Sequence, residues 1–213
     1  MKNILVLKFY KLKNYDLGTK REDYDQMKEW CVETAKNNIM GLDDIIVHDT
    51  VVESIQDAFR QHFYDLYDLW KTKKFNILYS DLDVLFIRKL DWFDISKKFI
   101  LYNYGNSGIR YHGHDMDETV WQHALELIKK WDGSKWDFEQ NVYKDMHRHP
   151  ANGKFFQQEL AAIYNLPQLD DPKVLYENAC TNHSAAIHFH ASNSNKQFIR
   201  MKNMYHFLKT INN

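Results

Sequence analysis

The sequence predicts an α/β protein in which a mixed central sheet is flanked by helices within a single domain. Short apolar runs, typical of buried strands, alternate with stretches in which apolar residues recur every three or four positions. Over the first eighty or so residues this alternation reads β-α-β-α-β, the pattern of a parallel sheet covered by helices. The 213 residues suffice for one sizeable core, and no Gly-, Ser- or Pro-rich linker divides them.

The first half of the chain contains three predicted strands and two predicted helices. We interpret residues 50–53, "TVVE", as a capping box that begins the second helix. The strands are predicted at 4–7, 45–48 and 76–81, and the apolar stripes of the helices run over 24–35 and 55–70.

The second half is less regular, and a mixed sheet follows from its additional strands. Strands are predicted at 99–102 and 185–189, and residues 106–111 are predicted as a turn that leads into a further extended segment. Helices are predicted at 120–131, 154–165 and 197–211.

Composition excludes several classes of protein. The formal net charge of −1 provides no general basic field, which disfavours a protein that mainly binds nucleic acid. Cys31 and Cys180 are too few and too distant for a disulfide scaffold, which favours a reducing compartment. The N-terminal apolar run is too short for a signal peptide or a membrane span, and no other segment comes close. We therefore expect a cytoplasmic protein.

Two acids, Asp81 and Asp83, stand between apolar runs at 77–79 and 84–87. Carboxylates beside buried strands are costly unless a cation, a basic partner or open solvent meets them. Two acids at this spacing are usually a solvated turn. However, Asp81 ends the third predicted strand, and ligands of open α/β sheets bind beyond the carboxyl ends of strands. The position therefore predicts a binding site.

Four segments together resemble GT-A glycosyltransferases. "YSDLDVLFIRKL" resembles their DxD segment, "YNYGNSGIRY" the stretch that follows it, and "FEQNVYKDM" the helix start that faces the donor sugar. His190 to Lys196 has the spacing of the H-x-x-G-x-x-K element of the glycogenin-like and lipopolysaccharide galactosyltransferase-like families, with Asn193 in place of Gly. The resemblance implies a Rossmann-like GT-A fold and a hexosyl- or pentosyltransferase that uses a nucleotide diphosphate sugar, with UDP favoured.

The resemblance also implies a site. Its cofactor is Mn²⁺ or Mg²⁺, cations that prefer carboxylate oxygens, and Mn²⁺ also accepts imidazole. Lys8 and Tyr10 end the first predicted strand, where a nucleotide would lie, although an ordinary strand-end pair explains them equally well. The expected metal ligands are Asp81, Asp83 and His190; the donor-binding residues are Lys8, Tyr10, Ser80, Asp81, Leu82, Asn106, Ser107 and Lys196; and the catalytic residues are Glu139 and Gln140.

Three H-x-H pairs raise the alternative of a zinc centre, because such a pair shares one face of a strand. Two of them adjoin Gly113 and Pro150 in predicted loops, which favours scattered surface histidines. His188 remains open as a site neighbour of His190 or a packed side chain. The pairs are His112/His114, His147/His149 and His188/His190.

Several functional alternatives stay open. "YSDLDVLF" also resembles the D-x-D of haloacid-dehalogenase-like phosphatases, although that motif follows the first core strand, and a non-catalytic sugar-nucleotide-binding domain is a further alternative. The resemblance favours retention of anomeric configuration, whereas an inverting reaction would use Glu139, or in reserve Glu159, as base. The acceptor is a glycan, a lipid-linked sugar, a protein or, less favoured, a modified nucleic acid. We expect a nucleotide-binding half at 1–90, a donor-sugar and acceptor half at 91–196, and a C-terminal helix at 197–213.

Overall fold

The computed structural model of the protein consists of α/β units. By their internal contacts the residues divide into two compact units, each assembled from three separate stretches of chain. The first comprises Met1–Tyr15, Gly41–Ser80 and Trp92–Gln157, and the second Asp16–Met40, Asp81–Asp91 and Gln158–Asn213. The structure describes residues 1–13, 21–93, 99–103, 106–134, 138–152, 162–164, 170–189 and 194–211. The single domain with boundaries at residues 90 and 196 stays a prediction.

Over the first eighty residues the elements follow the predicted alternation, with one additional two-residue strand. In chain order the strands are β1 (Lys2–Leu12), β2 (Ile39–Met40), β3 (Asp44–Val52), β4 (Phe75–Ser80), β5 (Val84–Phe86), β6 (Leu90–Asp91), β7 (Phe99–Asn103), β8 (Asn106–His112), β9 (Ala162–Tyr164) and β10 (Ala186–His188). The helices are α1 (Arg21–Asn38), α2 (Ile55–Lys71), α3 (Glu118–Lys130), α4 (Phe138–Arg148), α5 (Pro172–Thr181) and α6 (Ser194–Ile211), and a 3-10 turn spans Pro150–Asn152.

The first unit is built on a five-stranded sheet in the order β3-β1-β4-β8-β7. β1 pairs in parallel with both β3 and β4, as the β-α-β-α-β pattern predicts. β8 pairs antiparallel with β4 and with β7, so the sheet is mixed. The predicted mixed central sheet is therefore confirmed.

Helix α2 begins four residues later than the predicted capping box. Thr50 belongs to β3, and the residue that caps the helix is Ser54, whose Oγ accepts the backbone N–H of Asp57 at 3.1 Å. The Ser54 hydroxyl also donates to the Asp57 carboxylate at 2.6 Å, which holds the capping side chain in place. The capping box at 50–53 was wrong because β-branched Thr50 and its two valines extend the strand.

The core of the first unit lies between one face of this sheet and three helices. Strand residues at alternate positions point toward the helices, and the helices contribute residues three or four apart. Its fully buried members include Ile4 and Val6 of β1, Ile77 and Tyr79 of β4, Phe63, Leu66 and Trp70 of α2, Val120, Trp121, Ala124 and Ile128 of α3, and Val142, Tyr143 and Met146 of α4.

The second unit contains a three-stranded sheet in the order β5-β10-β9 and the two-stranded pair β2-β6. The N–H of Phe86 donates to Thr34 Oγ1 at 3.3 Å, and Asn38 Nδ2 donates to the Phe86 carbonyl at 2.7 Å. These two side chains of α1 therefore satisfy the edge of β5 that β10 leaves open. Residues 162–164, predicted as part of a helix at 154–165, form β9, and residues 153–161 lie outside the described parts of the chain.

None of the described helices combines the length and the apolar character that crossing a bilayer requires.

Candidate functional site

Asp81 and Asp83 lie on the turn between β4 and β5, as predicted. β4 ends at Ser80, and β5 begins at Val84. Leu82, between the two acids, is 7% exposed and anchors the turn. The backbone N–H of Phe189 donates to the Asp83 carbonyl at 2.7 Å, so the end of β10 holds Asp83 directly.

His188 brings an imidazole to both acids. It is the last residue of β10, opposite Val84 in the antiparallel pairing, and is 3% exposed. Its Nε2 lies 3.0 Å from Asp83 Oδ1 and 3.8 Å from Asp81 Oδ2. A buried polar ring at the end of a strand is tolerated because these carboxylates satisfy it.

The two acids also set the charge of His188. Burial lowers the pKa of the imidazole, but the charge of Asp83, its hydrogen bond and the charge of Asp81 outweigh burial and raise the pKa of His188 to about 9. In the absence of a cation the ring is therefore an imidazolium paired with Asp83 at neutral pH.

Gln197 completes the surroundings of Asp83. It lies in the first turn of α6, and its side-chain amide donates to Asp83 Oδ2. Asp83 is 9% exposed, and its two oxygens face His188 and Gln197 separately. No motif marks Gln197, and only the fold brings this residue to the turn.

These residues fit a divalent cation. One donor atom each from Asp81, Asp83 and His188 lie within 4.8 Å of one another, two carboxylate oxygens and one imidazole nitrogen. Mn²⁺ accepts this set, and Mg²⁺ accepts its carboxylates. Within the described ranges no other His, Cys, Asp and Glu side chains form such a group of three, so the other H-x-H pairs build no zinc centre there. His190, the predicted ligand, lies outside the described residues.

Lys196 lies near the start of α6 beside two residues that the sequence did not single out. Its Nζ is 3.7 Å from Asp170 Oδ2, and half of its side chain is exposed. Asp170 also pairs with Arg200, whose Nε lies 3.1 Å from Asp170 Oδ1.

The first unit contains a charged cluster formed by Lys8, His62, Arg110, Glu139 and Tyr143. Glu139 lies in the first turn of α4, and its Oε1 is 3.9 Å from Lys8 Nζ and 3.8 Å from His62 Nε2. Both members of the Lys8–Glu139 pair are nearly buried, with 14% and 11% of their side chains exposed. The predicted donor residue Lys8 and the predicted catalytic residue Glu139 are thus neighbours.

Arg110 carries the second cation of this charged cluster. It is 1% exposed, and its guanidinium carbon lies 3.6 Å from the ring centroid of Tyr79 and 3.8 Å from that of Tyr143. Arg110 donates to the Tyr143 hydroxyl at 2.8 Å and contacts His62. Burial, and then the charges of Lys8 and Arg110, hold the pKa of His62 well below its usual value, so this imidazole is neutral.

Tyr10 is engaged within the first unit. Its hydroxyl donates to Asp65 Oδ2 at 3.0 Å, and His48 Nδ1 lies 3.3 Å from the same oxygen. Burial and then Asp65 raise the pKa of Tyr10.

The other predicted residues take ordinary positions in their elements. Ser80 is fully buried at the end of β4, and Gln140 is half-buried in α4. Asn106 pairs with Asn103 in the β7–β8 hairpin, and Ser107 follows it in β8.

Sequence reasoning missed His62 and Arg110, although a signal for Arg110 was present. It stands in β8 between Ile109 and Tyr111, which are 1% and 4% exposed, and a charged residue within a buried strand indicates a paired site. His62 follows the apolar stripe of α2 one residue before Phe63, a position that carries no distinctive pattern.

Comparison with known proteins finds solved structures that resemble this chain. No protein-family model and no curated protein sequence matches the chain. The crystal structure of a glycosyltransferase involved in the glycosylation of the major capsid of PBCV-1 matches with a TM-score of 0.60 at 10% identity, over 95% of this chain and 100% of that one. GlyE, a glycosyltransferase of Streptococcus pneumoniae TIGR4, gives a TM-score of 0.48 at 10% identity, over 99% of this chain and 64% of that one. The chain shares its fold with the first of these, which confirms the GT-A-like α/β fold predicted from the sequence.

Proposed function

We propose that this protein is a metal-dependent glycosyltransferase that moves a sugar from a nucleotide diphosphate sugar, with UDP favoured, to an acceptor hydroxyl. The observation that carries the proposal is the convergence of Asp81, Asp83 and His188 within 4.8 Å, directly after a strand of a glycosyltransferase-like fold. Carboxylates aligned this closely call for a positive partner, and a divalent cation supplies it.

Asp81, Asp83 and His188 would hold Mn²⁺ or Mg²⁺, which when bound supplies Lewis-acid stabilisation of the leaving diphosphate. His188 would serve as a ligand in its neutral form, since a ligating imidazole is deprotonated. Gln197 orients Asp83 by donating to the oxygen that His188 does not contact. His190 remains a predicted further ligand.

Other residues of this chain have proposed roles in binding and catalysis. Lys196 offsets the charge that develops on the diphosphate as the glycosidic bond breaks. Lys8 and Tyr10 contact the nucleotide part of the donor. Glu139 and Gln140, at the start of α4, form hydrogen bonds with the hydroxyls of the sugar. The neighbouring Lys8 offsets the charge of Glu139.

The reaction exchanges one bond at the anomeric carbon. The bond to the diphosphate oxygen breaks, the bond to the acceptor oxygen forms, and the acceptor proton leaves with a base. The resemblance to glycogenin-like families favours retention of configuration in a hexosyl- or pentosyltransferase. The acceptor classes remain a glycan, a lipid-linked sugar, a protein and a modified nucleic acid.

The test is a screen of nucleotide sugars with Mn²⁺ in which released nucleoside diphosphate is measured. We expect turnover of at least one donor, and its loss in Asp83→Asn, because an amide is a neutral and weaker ligand. The matched control is Asp25→Asn, which removes a half-exposed carboxylate of α1 whose partner is Lys28 at 3.0 Å. This control should keep wild-type turnover.

Two results would contradict the proposal. Wild-type turnover in Asp83→Asn would remove the acid pair from the reaction. Release of inorganic phosphate in place of nucleoside diphosphate would indicate the phosphatase alternative. Product anomer analysis by NMR then decides the stereochemistry, and an inverted product would make Glu139 the base.

A further inference from the structure

Helix α1 directs three hydrogen-bonding side chains toward β5 and toward the turn Asp81–Asp83, which we call the acid turn. Cys31, Thr34 and Asn38 are three and four residues apart, so they lie on one face of the helix. Cys31 is fully buried, and Thr34 is 6% exposed. Because buried hydrogen-bonding groups require partners, the contacts of these side chains indicate what α1 holds.

The backbone of β5 forms hydrogen bonds on two sides. Phe189 N–H donates to the Asp83 carbonyl at 2.7 Å, and Ile87 N–H donates to the Ala185 carbonyl at 2.8 Å, so Asp83 and Ile87 bond toward β10. In an antiparallel ladder every second residue directs its peptide groups to the opposite side, and Phe86 is such a residue. In the sheet order β5-β10-β9 no described strand lies on that side, and side chains of α1 take its place.

Thr34 provides the central contact between α1 and β5. Its Oγ1 accepts the Phe86 N–H at 3.3 Å, and Asn38 Nδ2 donates to the Phe86 carbonyl at 2.7 Å. The Thr34 hydroxyl itself donates to the Trp30 carbonyl at 2.9 Å, one turn earlier in the helix. This donation fixes the direction of the hydroxyl proton, so Oγ1 presents a lone pair to the strand.

The same face of α1 also reaches the acid turn. Cys31 Sγ lies 3.9 Å from the Asp81 carbonyl oxygen, within reach of a thiol hydrogen bond. Asp83 directly precedes β5, which is only three residues long. A strand this short has few backbone groups with which to fix its position, so each contact weighs more. β10 therefore holds one edge of β5, and α1 holds the other.

Metal binding depends on this placement, because donor atoms must stay within about 0.5 Å of their working geometry. We propose that Thr34 is a positioning residue of the candidate metal site: through Phe86 it fixes β5 from the side opposite β10, and so holds the acid turn at the distance from His188 that a divalent cation requires. Thr34 acts through the strand and not as a ligand. The inference rests on the proposed function for the identity of the ion alone.

The first experiment measures the acid turn without metal. Amide hydrogen exchange of the full chain in EDTA is followed by NMR at Phe189, whose N–H donates to the Asp83 carbonyl. Thr34→Val keeps the shape of the side chain and removes the acceptor. Exchange at Phe189 should then accelerate about tenfold beyond what the change in the free energy of unfolding accounts for. Thr34→Ser keeps the hydroxyl and should restore the wild-type rate.

The second experiment measures Mn²⁺ binding from the electron paramagnetic resonance signal of unbound Mn²⁺. Thr34→Val should raise Kd about tenfold, the size of effect expected when a group that orients metal ligands is lost. Thr181→Val is the matched control for both experiments. Thr181 Oγ1 likewise donates to a carbonyl four residues earlier, that of Glu177 at 2.8 Å, but it lies in α5. This control should match wild type in Kd and in exchange at Phe189.

Each outcome decides the inference. Wild-type exchange at Phe189 in Thr34→Val would overturn it, as would an equal acceleration in Thr181→Val. An unchanged Kd alongside faster exchange would also overturn it, since the turn would then move without consequence for the ligands. If the wild-type protein binds no Mn²⁺, the proposed function fails, and exchange at Phe189 alone decides whether Thr34 holds the acid turn. If circular dichroism melting shows that Thr34→Val does not fold, Asn38→Leu, which removes the donor to the Phe86 carbonyl, takes its place.

Discussion

The ion pair between Lys8 and Glu139 should contribute more to stability than a shorter pair on the surface. Lys8 Nζ and Glu139 Oε1 are 3.9 Å apart, with 14% and 11% of the side chains exposed. Lys13 Nζ and Glu53 Oε1 are only 2.9 Å apart, but 60% and 65% of their side chains are exposed. Distance alone predicts that Lys13–Glu53 is the stronger pair, whereas screening by water predicts that Lys8–Glu139 is the stronger pair.

The magnitude follows from the local dielectric. Two unit charges about 4 Å apart interact by about 4 kcal/mol at an effective dielectric constant of about 20, and by about 1 kcal/mol in bulk water. Partial solvent access reduces the buried value, so we expect a coupling energy of about 1.5–3 kcal/mol for Lys8–Glu139. The exposed Lys13–Glu53 pair should give about 0.2–1 kcal/mol.

Two double-mutant cycles measure these couplings. Lys8→Met and Glu139→Gln, alone and combined, are compared by urea unfolding with Lys13→Met and Glu53→Gln, alone and combined. The cycle isolates the pair from the other contacts that its two members make, such as that of Glu139 with His62. A coupling for Lys8–Glu139 no larger than that for Lys13–Glu53 would refute the reasoning, since burial would then not decide the strength of the pair.

Two further predictions concern the metal and pH. Mn²⁺ at about 100 times its dissociation constant should stabilise the protein by about 2.7 kcal/mol, which raises Tm by about 5–10 °C for a chain of this size. In differential scanning fluorimetry His188→Ala should lose this rise in Tm, and an equal rise in that variant would remove the imidazole from the metal site. Burial raises the pKa of Asp65, but hydrogen bonds from His48, Gln61 and Tyr10 outweigh burial and lower this pKa below 3.8, so its stabilising effect is present above that pH and is lost as pH falls through the lowered value. Asp65→Asn should therefore be less stable than wild type at pH 6, and the difference should shrink below about pH 4; a difference that stays constant with pH in urea unfolding would contradict this.

Periodicity predicted the sheet because the burial of a strand residue is visible directly in the apolar pattern of its own segment. In β1, Ile4, Leu5, Val6 and Leu7 are all 0–1% exposed, which is the continuous apolar run expected of a strand buried on both faces. The parallel pairing of β1 with β3 and β4 then follows from the intervening helices. Strand ends were less accurate, as the extension of β1 to residues 2–12 illustrates, because polar residues continue a strand when a neighbour pairs with them.

The helix predicted at 154–165 was wrong over Ala162–Tyr164 for a physical reason. The apolar spacing of "ELAAIYN" suits a helix, but Ala162, Ile163 and Tyr164 pair with Ala186, Ile187 and His188 of β10. A short apolar run does not distinguish a buried strand from a buried helix, and pairing with a strand more than twenty residues away decided this one. The contacts of Gln197 with Asp83 and of Asp170 with Arg200, which sequence reasoning missed, likewise join residues that are distant in the chain.

The geometry at Asp83 and His188 is fixed by the backbone rather than by flexible side chains. His188 ends β10 in register with Val84, and the next residue, Phe189, donates its N–H to the Asp83 carbonyl. One antiparallel pairing therefore positions both the imidazole and the carboxylate of Asp83. Asp81 precedes Asp83 by two residues and directly follows β4. Sites held on paired strands keep their donor atoms within the small tolerance that a metal requires. The sequence motif D-x-D supplied the acids, but only the pairing of β5 with β10 explains why His188 is the histidine that contacts them.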